Sequence, residues 1–364
     1  MNAEFTRHLT NIEESIKTFL PPESETGWQK DSFGNLPNII NAEHIQPLIA
    51  PARSLVDLGG KRWRPLLLVL CARASSAENK INESEKIAYS LCTLVEFVHT
   101  ASLIHDDIED KSESRRGKPA AYITYGMDTA INAGSWLYFQ APVCINKIQC
   151  SNDIKLRLYT AYAEELRRLH LGQAMDIKWH NDNTKEPSED EYIAMVKNKT
   201  GTLASLSAKI GSIAGGASEE TVLKAGTIAA EIGAGFQIID DVINLTTGNP
   251  GKKRGDDIVE GKKSLPVLMF IGKNKNSIEK INALHQCFET AAKEGIESPA
   301  VEKAVLMLLE SNAVEEARQK GIKYINDGCN KFLELFGKEN PDAILLKELF
   351  TSMIPSSVKG EAHA

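Results

Sequence analysis

The sequence predicts an all-α protein with no sheet of consequence. Three observations predict it. Apolar residues recur at spacings of three and four, as in Ile87, Leu91, Leu94, Val95 and Val98, and again in Leu156, Leu158, Tyr159, Tyr162, Leu166 and Leu169. Clean alternating apolar and polar runs are absent. Proline- and glycine-rich breaks divide the periodic stretches.

Taken in order, Leu20-Pro-Pro-Glu23 ends the first helix, and Gly59-Gly60 precedes a basic segment and a new apolar helix. Asp106-Asp107-Ile108-Glu109-Asp110 closes an apolar helix, and Arg115-Arg-Gly-Lys-Pro119 is the loop after it. His180 to Asp190 is a polar loop. A second acidic helix end, Asp240-Asp241-Val242-Ile243-Asn244, runs into the glycine- and lysine-rich loop Thr246–Lys263. Loops of that length are usually functional or mobile. The tail after Pro355 is polar, and fraying is expected there. An acidic helix end followed by a basic loop therefore occurs twice, near 106–118 and near 240–263. No linker-like composition divides the chain, so one helical domain over 1–364 is expected.

Bulk properties narrow the function. The 364 residues are 42% hydrophobic, enough for a sizeable core, and the net charge of −7 argues against nucleic acid or anionic membrane as the main partner. The six cysteines, at 71, 92, 144, 150, 287 and 329, form no CxxC pair, which suits reduced thiols in a cytoplasmic protein. The N-terminal stretch is polar and periodic, unlike a signal peptide. No uninterrupted apolar run approaches the roughly 20 residues that span a bilayer, so no membrane span is expected. A protein that handles small molecules is the reading these features favour.

Asp106 and Asp110 are four apart, so both carboxylates leave one helix face, and His99, seven residues earlier, falls on that face too. Asp240 and Asn244 repeat the spacing, with Gln237 three residues before Asp240. Like charges so placed repel unless a cation lies between them. Hard oxygen donors with open positions favour magnesium shared with substrate phosphates. A solvated helix end is the plain alternative for either motif. Against it, Leu103-Ile104 and Phe236-Gln-Ile-Ile239 put both pairs at the ends of apolar runs, where charge is costly. Lys61, Arg62, Arg64, Arg115, Arg116, Lys199, Lys253 and Lys262 supply the opposite sign. Each could be a solvated surface charge. Together they suit two anion sites, since arginine forks and lysine point charges are what diphosphates need.

Six segments resemble the trans-isoprenyl diphosphate synthases: Gly60-Lys-Arg-Trp-Arg-Pro65, His99-Thr-Ala-Ser-Leu-Ile-His-Asp-Asp-Ile-Glu-Asp110, Arg115-Arg-Gly-Lys118, Gly172-Gln-Ala-Met-Asp176, Lys199-Thr-Gly201 and Phe236-Gln-Ile-Ile-Asp-Asp241. Their order and spacing match over about residues 45–350. Within that family, Ile131–Phe139 and Leu169–Trp179 resemble geranylgeranyl diphosphate synthases of the eukaryotic type. The resemblance implies a single bundle of long helices around a central cavity, a homodimer, and condensation of isopentenyl diphosphate with an allylic diphosphate. It implies that Asp106 and Asp110 bind two magnesium ions and Asp240 a third. Arg115, Lys199, Thr200, Gln237, Lys253 and Lys262 would serve the allylic diphosphate. Lys61, Arg64, His99 and Arg116 would hold isopentenyl diphosphate, with Asp241 supporting the allylic site. A packed core histidine remains the alternative for His99.

Asn244 stands where many members of that family carry a third aspartate. It still offers an oxygen but no charge, so weaker binding of the third magnesium is expected. Product length would follow from what blocks the growing chain. Ala101 and Ser102 are small where short-chain relatives carry aromatics, and Tyr138, Phe139 and His170 resemble the lower wall of geranylgeranyl synthases. Ordinary core packing is the other reading of these three. A twenty-carbon product made from farnesyl diphosphate is expected. A class I terpene cyclase, a metal-dependent phosphohydrolase using His105 and Asp106, and a non-catalytic subunit are the rival functions.

Overall fold

In the computed structural model, residues 2–181, 186–248, 253–355 and 358 are described. Among them are nineteen α-helices and one hairpin of two two-residue strands, Ser114–Arg115 and Lys118–Pro119. The helical reading holds. Parts of the loops expected at 180–190 and 246–263, and all of the polar tail but Pro355 and Val358, lie outside the described residues.

The chain divides into two compact units, each discontinuous in sequence. One comprises 1–165, 203–226 and 335–346, and the other 166–202, 227–334 and 347–364.

In the first unit, helix Thr93–Glu109 carries the first acidic motif and lies along helix Met127–Gln140, which also packs on helix Ala42–Val56. Leu94, Val95, Phe97, Val98, Ala101 and Ile104 are buried, so the core claims this helix almost to Asp106. Helix Trp63–Ala74 is buried from Pro65 to Ala72. Its start is fixed by Arg62, which is buried in a left-handed conformation with φ 46°. The Arg62 guanidinium donates to Glu13 at 2.7 Å, to the Val56 carbonyl at 2.7 Å and to buried Glu96. It is a structural anchor and not part of an anion site. Lys61 beside it is exposed.

The second unit has a core built from Tyr192, Ile238, Val242, Leu245, Leu265, Leu268, Leu284 and Val305. Helix Glu189–Lys199 opens on a reciprocal cap: the Ser188 hydroxyl accepts from the Glu191 N–H at 3.2 Å, and the Glu191 carboxylate accepts from the Ser188 N–H at 2.8 Å. That cap sets the register that delivers Lys199 and Thr200 at the far end. The same helix crosses Gly172 so closely that a Cβ there would lie 2.3 Å from the Lys199 backbone nitrogen. Only glycine permits this approach.

Residues Glu78–Glu109 and Glu219–Thr246 are long and apolar enough, by length and composition, to cross a bilayer, which the expectation of no such stretch overlooked. Their most apolar windows are 67% and 61% buried inside the protein, as core helices are. Both carry an acidic motif near the C-terminal end. All six cysteines are free, and all but Cys150 are buried.

Arg62→Ala is expected to lower stability by about 3–5 kcal/mol, because it strands buried Glu96. Lys61→Ala, one residue away and exposed, should change it by no more than about 0.5 kcal/mol. Urea denaturation of the two variants checks the contrast.

Candidate active site

At the end of helix Thr93–Glu109 the three aspartates sort themselves by direction. Asp106 and Asp110 are half-buried, whereas Asp107 between them is 1% exposed. Arg115 meets Asp107 there, with Nε donating to Oδ1 at 2.8 Å and Nη2 donating to the same oxygen. Burial pushes the Asp107 carboxyl up and the arginine opposes that shift. The turn that returns Arg115 is a two-residue hairpin with Arg116 at φ 53° and Gly117 at φ 75°. Positive φ at both positions is the hairpin turn that suits strand twist, which explains glycine at 117. The Arg116 guanidinium donates to the Gly59 carbonyl, tying the hairpin to the Gly59-Gly60 turn.

Of the residues expected for isopentenyl diphosphate, Arg64 and His99 meet in this unit, while Lys61 is exposed and Arg116 turns to the Gly59 carbonyl. Arg64 Nη1 lies 3.2 Å from His99 Nε2 and its guanidinium stacks 4.5 Å from the Trp63 ring centroid. Burial, and then the charges of Arg64, Arg116, Arg115 and Arg62, hold the His99 imidazole well below its ordinary range. His99 is therefore neutral at pH 7 among four arginines. If Arg64 donates to Nε2, the ring proton sits on Nδ1, so the ring can offer one hydrogen bond without adding charge.

In the second unit, Lys199 Nζ donates to Asp176 Oδ2 at 2.6 Å. Thr200 Oγ1 donates to Gln237 Oε1 at 2.8 Å, and Gln237 Nε2 donates to Asp241 Oδ1 at 3.1 Å. Asp241 is buried, and its other oxygen accepts from the Tyr192 hydroxyl at 2.5 Å and from the Leu265 N–H at 3.1 Å. Burial, then the Asp257 charge, raises the Asp241 carboxyl to about 7 against these donors. Asp240, one position earlier, is exposed.

Three placements differ from the sequence expectations. Asn244 is 1% exposed, and its Oδ1 accepts from the Asp257 N–H at 3.3 Å instead of standing out beside Asp240. Lys253 is exposed and paired with Glu297, while Lys262 lies 3.7 Å from Asp257 and also meets Glu260. Phe139 is 79% exposed and His170 is exposed too, so neither walls a cavity within its own unit. Phe139 follows Tyr138 on a helix, and the turn of about 100° per residue aims the two apart. Tyr138 is buried and stacks on His105, with ring centroids 5.7 Å apart. Ala101 is buried, and Ser102 is half-buried with its hydroxyl donating to the His99 carbonyl at 2.8 Å.

Tyr192 and Asp176, which hold Asp241 and Lys199, were not singled out in the sequence. Asp176 sat in a segment that carried the family resemblance without being given a role. Nothing in the local pattern around Tyr192 separates it from an ordinary core aromatic.

No group of three or more His, Cys, Asp or Glu side chains among the described residues is arranged to hold a metal ion by itself. Asp106 and Asp110, four apart at one helix end, offer carboxylate oxygens of the kind magnesium takes together with substrate phosphate oxygens.

The polyprenyl synthetase family model matches residues 45–303. A geranylgeranyl diphosphate synthase of the archaeon Methanosarcina mazei is 33% identical over 85% of this chain and 90% of its own length. A geranylgeranyl pyrophosphate synthase of the fungus Penicillium canescens is 34% identical over 81% of this chain and 82% of its own. The crystal structure of geranylgeranyl pyrophosphate synthetase from Pyrococcus horikoshii superposes with a TM-score of 0.77 at 26% identity, covering 96% of this chain and 97% of that one. The all-α fold and the paired acidic and basic clusters define a trans-prenyltransferase. The chain belongs to the polyprenyl synthetase family. The likeness to eukaryotic-type enzymes extends to archaeal ones as well.

Tyr192→Phe is expected to cost about 1–3 kcal/mol of stability at pH 8, because Asp241 loses a buried donor. Chemical denaturation checks it; a loss below about 0.5 kcal/mol would mean the hydroxyl does not matter there.

Proposed function

We propose that this enzyme condenses isopentenyl diphosphate with an allylic diphosphate, farnesyl diphosphate by preference, to give geranylgeranyl diphosphate. The observation that supports the reading is that Arg64 meets His99, Nη1 to Nε2 at 3.2 Å, on the helix that ends in Asp106 and Asp110. One unit thus holds an anion site and a pair of carboxylates suited to a cation.

The allylic carbon–oxygen bond breaks with its electron pair passing to the diphosphate. The isopentenyl double bond attacks the allylic cation, and a proton is then lost to the departing diphosphate. No protein nucleophile is needed. Asp106, Asp110 and Asp240 would hold magnesium, which when bound neutralises charge on the leaving diphosphate. Lys199, held by Asp176, is a preorganised donor for that leaving group, and Thr200 would turn to it the hydroxyl proton that Gln237 now accepts. As the resemblance implies, Arg115, Lys253 and Lys262 would also serve the allylic diphosphate, Arg115 while keeping its bonds to buried Asp107. Lys61, Arg64, His99 and Arg116 would fix isopentenyl diphosphate by its diphosphate.

We read the chain as one functional domain acting in the cytoplasm. Met127, Ile131 and Phe139 are exposed apolar residues at helical spacing on Met127–Gln140, and a second copy of the chain would cover them. This accounts for the position of Phe139. Tyr138 is then the residue that sets product length, with small Ala101 leaving the way to it open.

Diphosphate release from farnesyl diphosphate should require isopentenyl diphosphate; release without it would indicate a cyclase. Asp106→Ala should cut turnover by about three orders of magnitude or more. Chromatography of the products should show twenty carbons for the unmutated enzyme, fifteen for Ala101→Phe, and at least one further five-carbon unit for Tyr138→Ala. Unmutated enzyme making thirty carbons or more would remove Tyr138 from the role.

A further inference from the structure

The second acidic motif has a buried side that the proposed chemistry leaves unused. Asp241 and Asn244 are three residues apart and share one helix face, turned away from exposed Asp240. Each gives an oxygen to a backbone N–H in or just after the basic loop that follows. The Asn244 side chain accepts from the Asp257 N–H at 3.3 Å and its main-chain carbonyl from the Gly255 N–H at 2.9 Å. At the other end of the loop, Asp241 accepts from the Leu265 N–H at 3.1 Å. Arg254 adds a third tie, its Nε donating to the Leu245 carbonyl at 3.1 Å.

We infer that Asn244 and Asp241 are positioning residues that pin the basic loop at both ends, and that Asn244 takes no part in holding metal. The clamp fixes the backbone two residues after Lys253 and on both sides of Lys262, and so decides where the two ammonium groups can reach. Inside the loop the register continues: the Asp256 N–H donates to the Lys253 carbonyl at 3.3 Å and the Lys262 N–H to the Asp257 carbonyl at 2.9 Å. Asparagine suits position 244 better than aspartate because its neighbours Asp241 and Asp257 are already buried acids. Asn244 Nδ2 is itself buried with no hydrogen-bond partner, so this side chain is held by its oxygen alone.

The role assigned to the lysines rests on the prenyltransferase reading; the clamp does not. Hydrogen–deuterium exchange on the full-length, metal-free protein tests the clamp without any activity. Asn244→Ala should speed exchange across 253–262 by about tenfold, the loss of one buried hydrogen bond. Asn244→Asp, which keeps the acceptor, should preserve protection there. In turnover assays Asn244→Ala should raise the KM for the allylic diphosphate several-fold, with the half-saturating magnesium concentration within about twofold of the unmutated enzyme. Unchanged exchange in Asn244→Ala, or a magnesium requirement that shifts about tenfold in Asn244→Asp, would overturn the inference. Altered exchange in an enzyme that transfers no prenyl group would uphold the clamp and remove only the prenyltransferase reading.

Discussion

Repulsion between carboxylates at the end of a core helix is the constraint on which the rest of this architecture depends. Asp106, Asp107 and Asp110 fall within five residues, and the helix before them is buried almost to the first. Successive helical residues turn by about 100°, so one acid faces inward and its neighbours outward. The inward one is hydrogen-bonded by the protein, through charged Arg115 for Asp107 and through the neutral donors Tyr192, Gln237 and the Leu265 N–H for Asp241. The outward ones, Asp106, Asp110 and Asp240, are half-buried or exposed, and on the proposed reading a cation would arrive there with the substrate. The same division therefore operates in both motifs with different partners.

The basic residues follow from that division. The inward acid of the first motif recruits Arg115, and the hairpin needed to return it carries Arg116 to the Gly59-Gly60 turn. Burial, and then the charges of the nearby arginines, disfavour a protonated imidazole at His99. In the second unit, Gly172 lets two helices approach closely enough for Asp176 to hold Lys199. On the proposed reading these groups are fixed before substrate arrives, which would limit the reorganisation that charge separation demands.

The helices and both acidic ends were legible in the sequence because periodicity and i,i+4 spacing are local properties. Lys199, Thr200 and Gln237 were also legible, as members of short segments. Arg62 was not separable from Lys61 and Arg64, since its burial depends on Glu13 and Glu96, 49 and 34 residues away. Asn244 read as a weakened metal ligand because spacing reports direction along a helix but not which side the core occupies. Phe139 read as a wall for the same reason: an aromatic at helical spacing looks alike whether it faces a cavity or a partner. The two long apolar stretches were not picked out in the sequence because charged and polar residues interrupt them, and they are largely buried inside the protein.

The most direct measurement is the affinity of the chain for magnesium with and without a non-ionisable allylic diphosphate analogue, by isothermal titration calorimetry. If the outward carboxylates wait for a cation shared with substrate, magnesium should bind weakly to the chain alone and at least about tenfold more tightly with the analogue present. Asp106→Asn should abolish that gain. Tight binding without the diphosphate, or equal affinity in its presence and absence, would contradict the account.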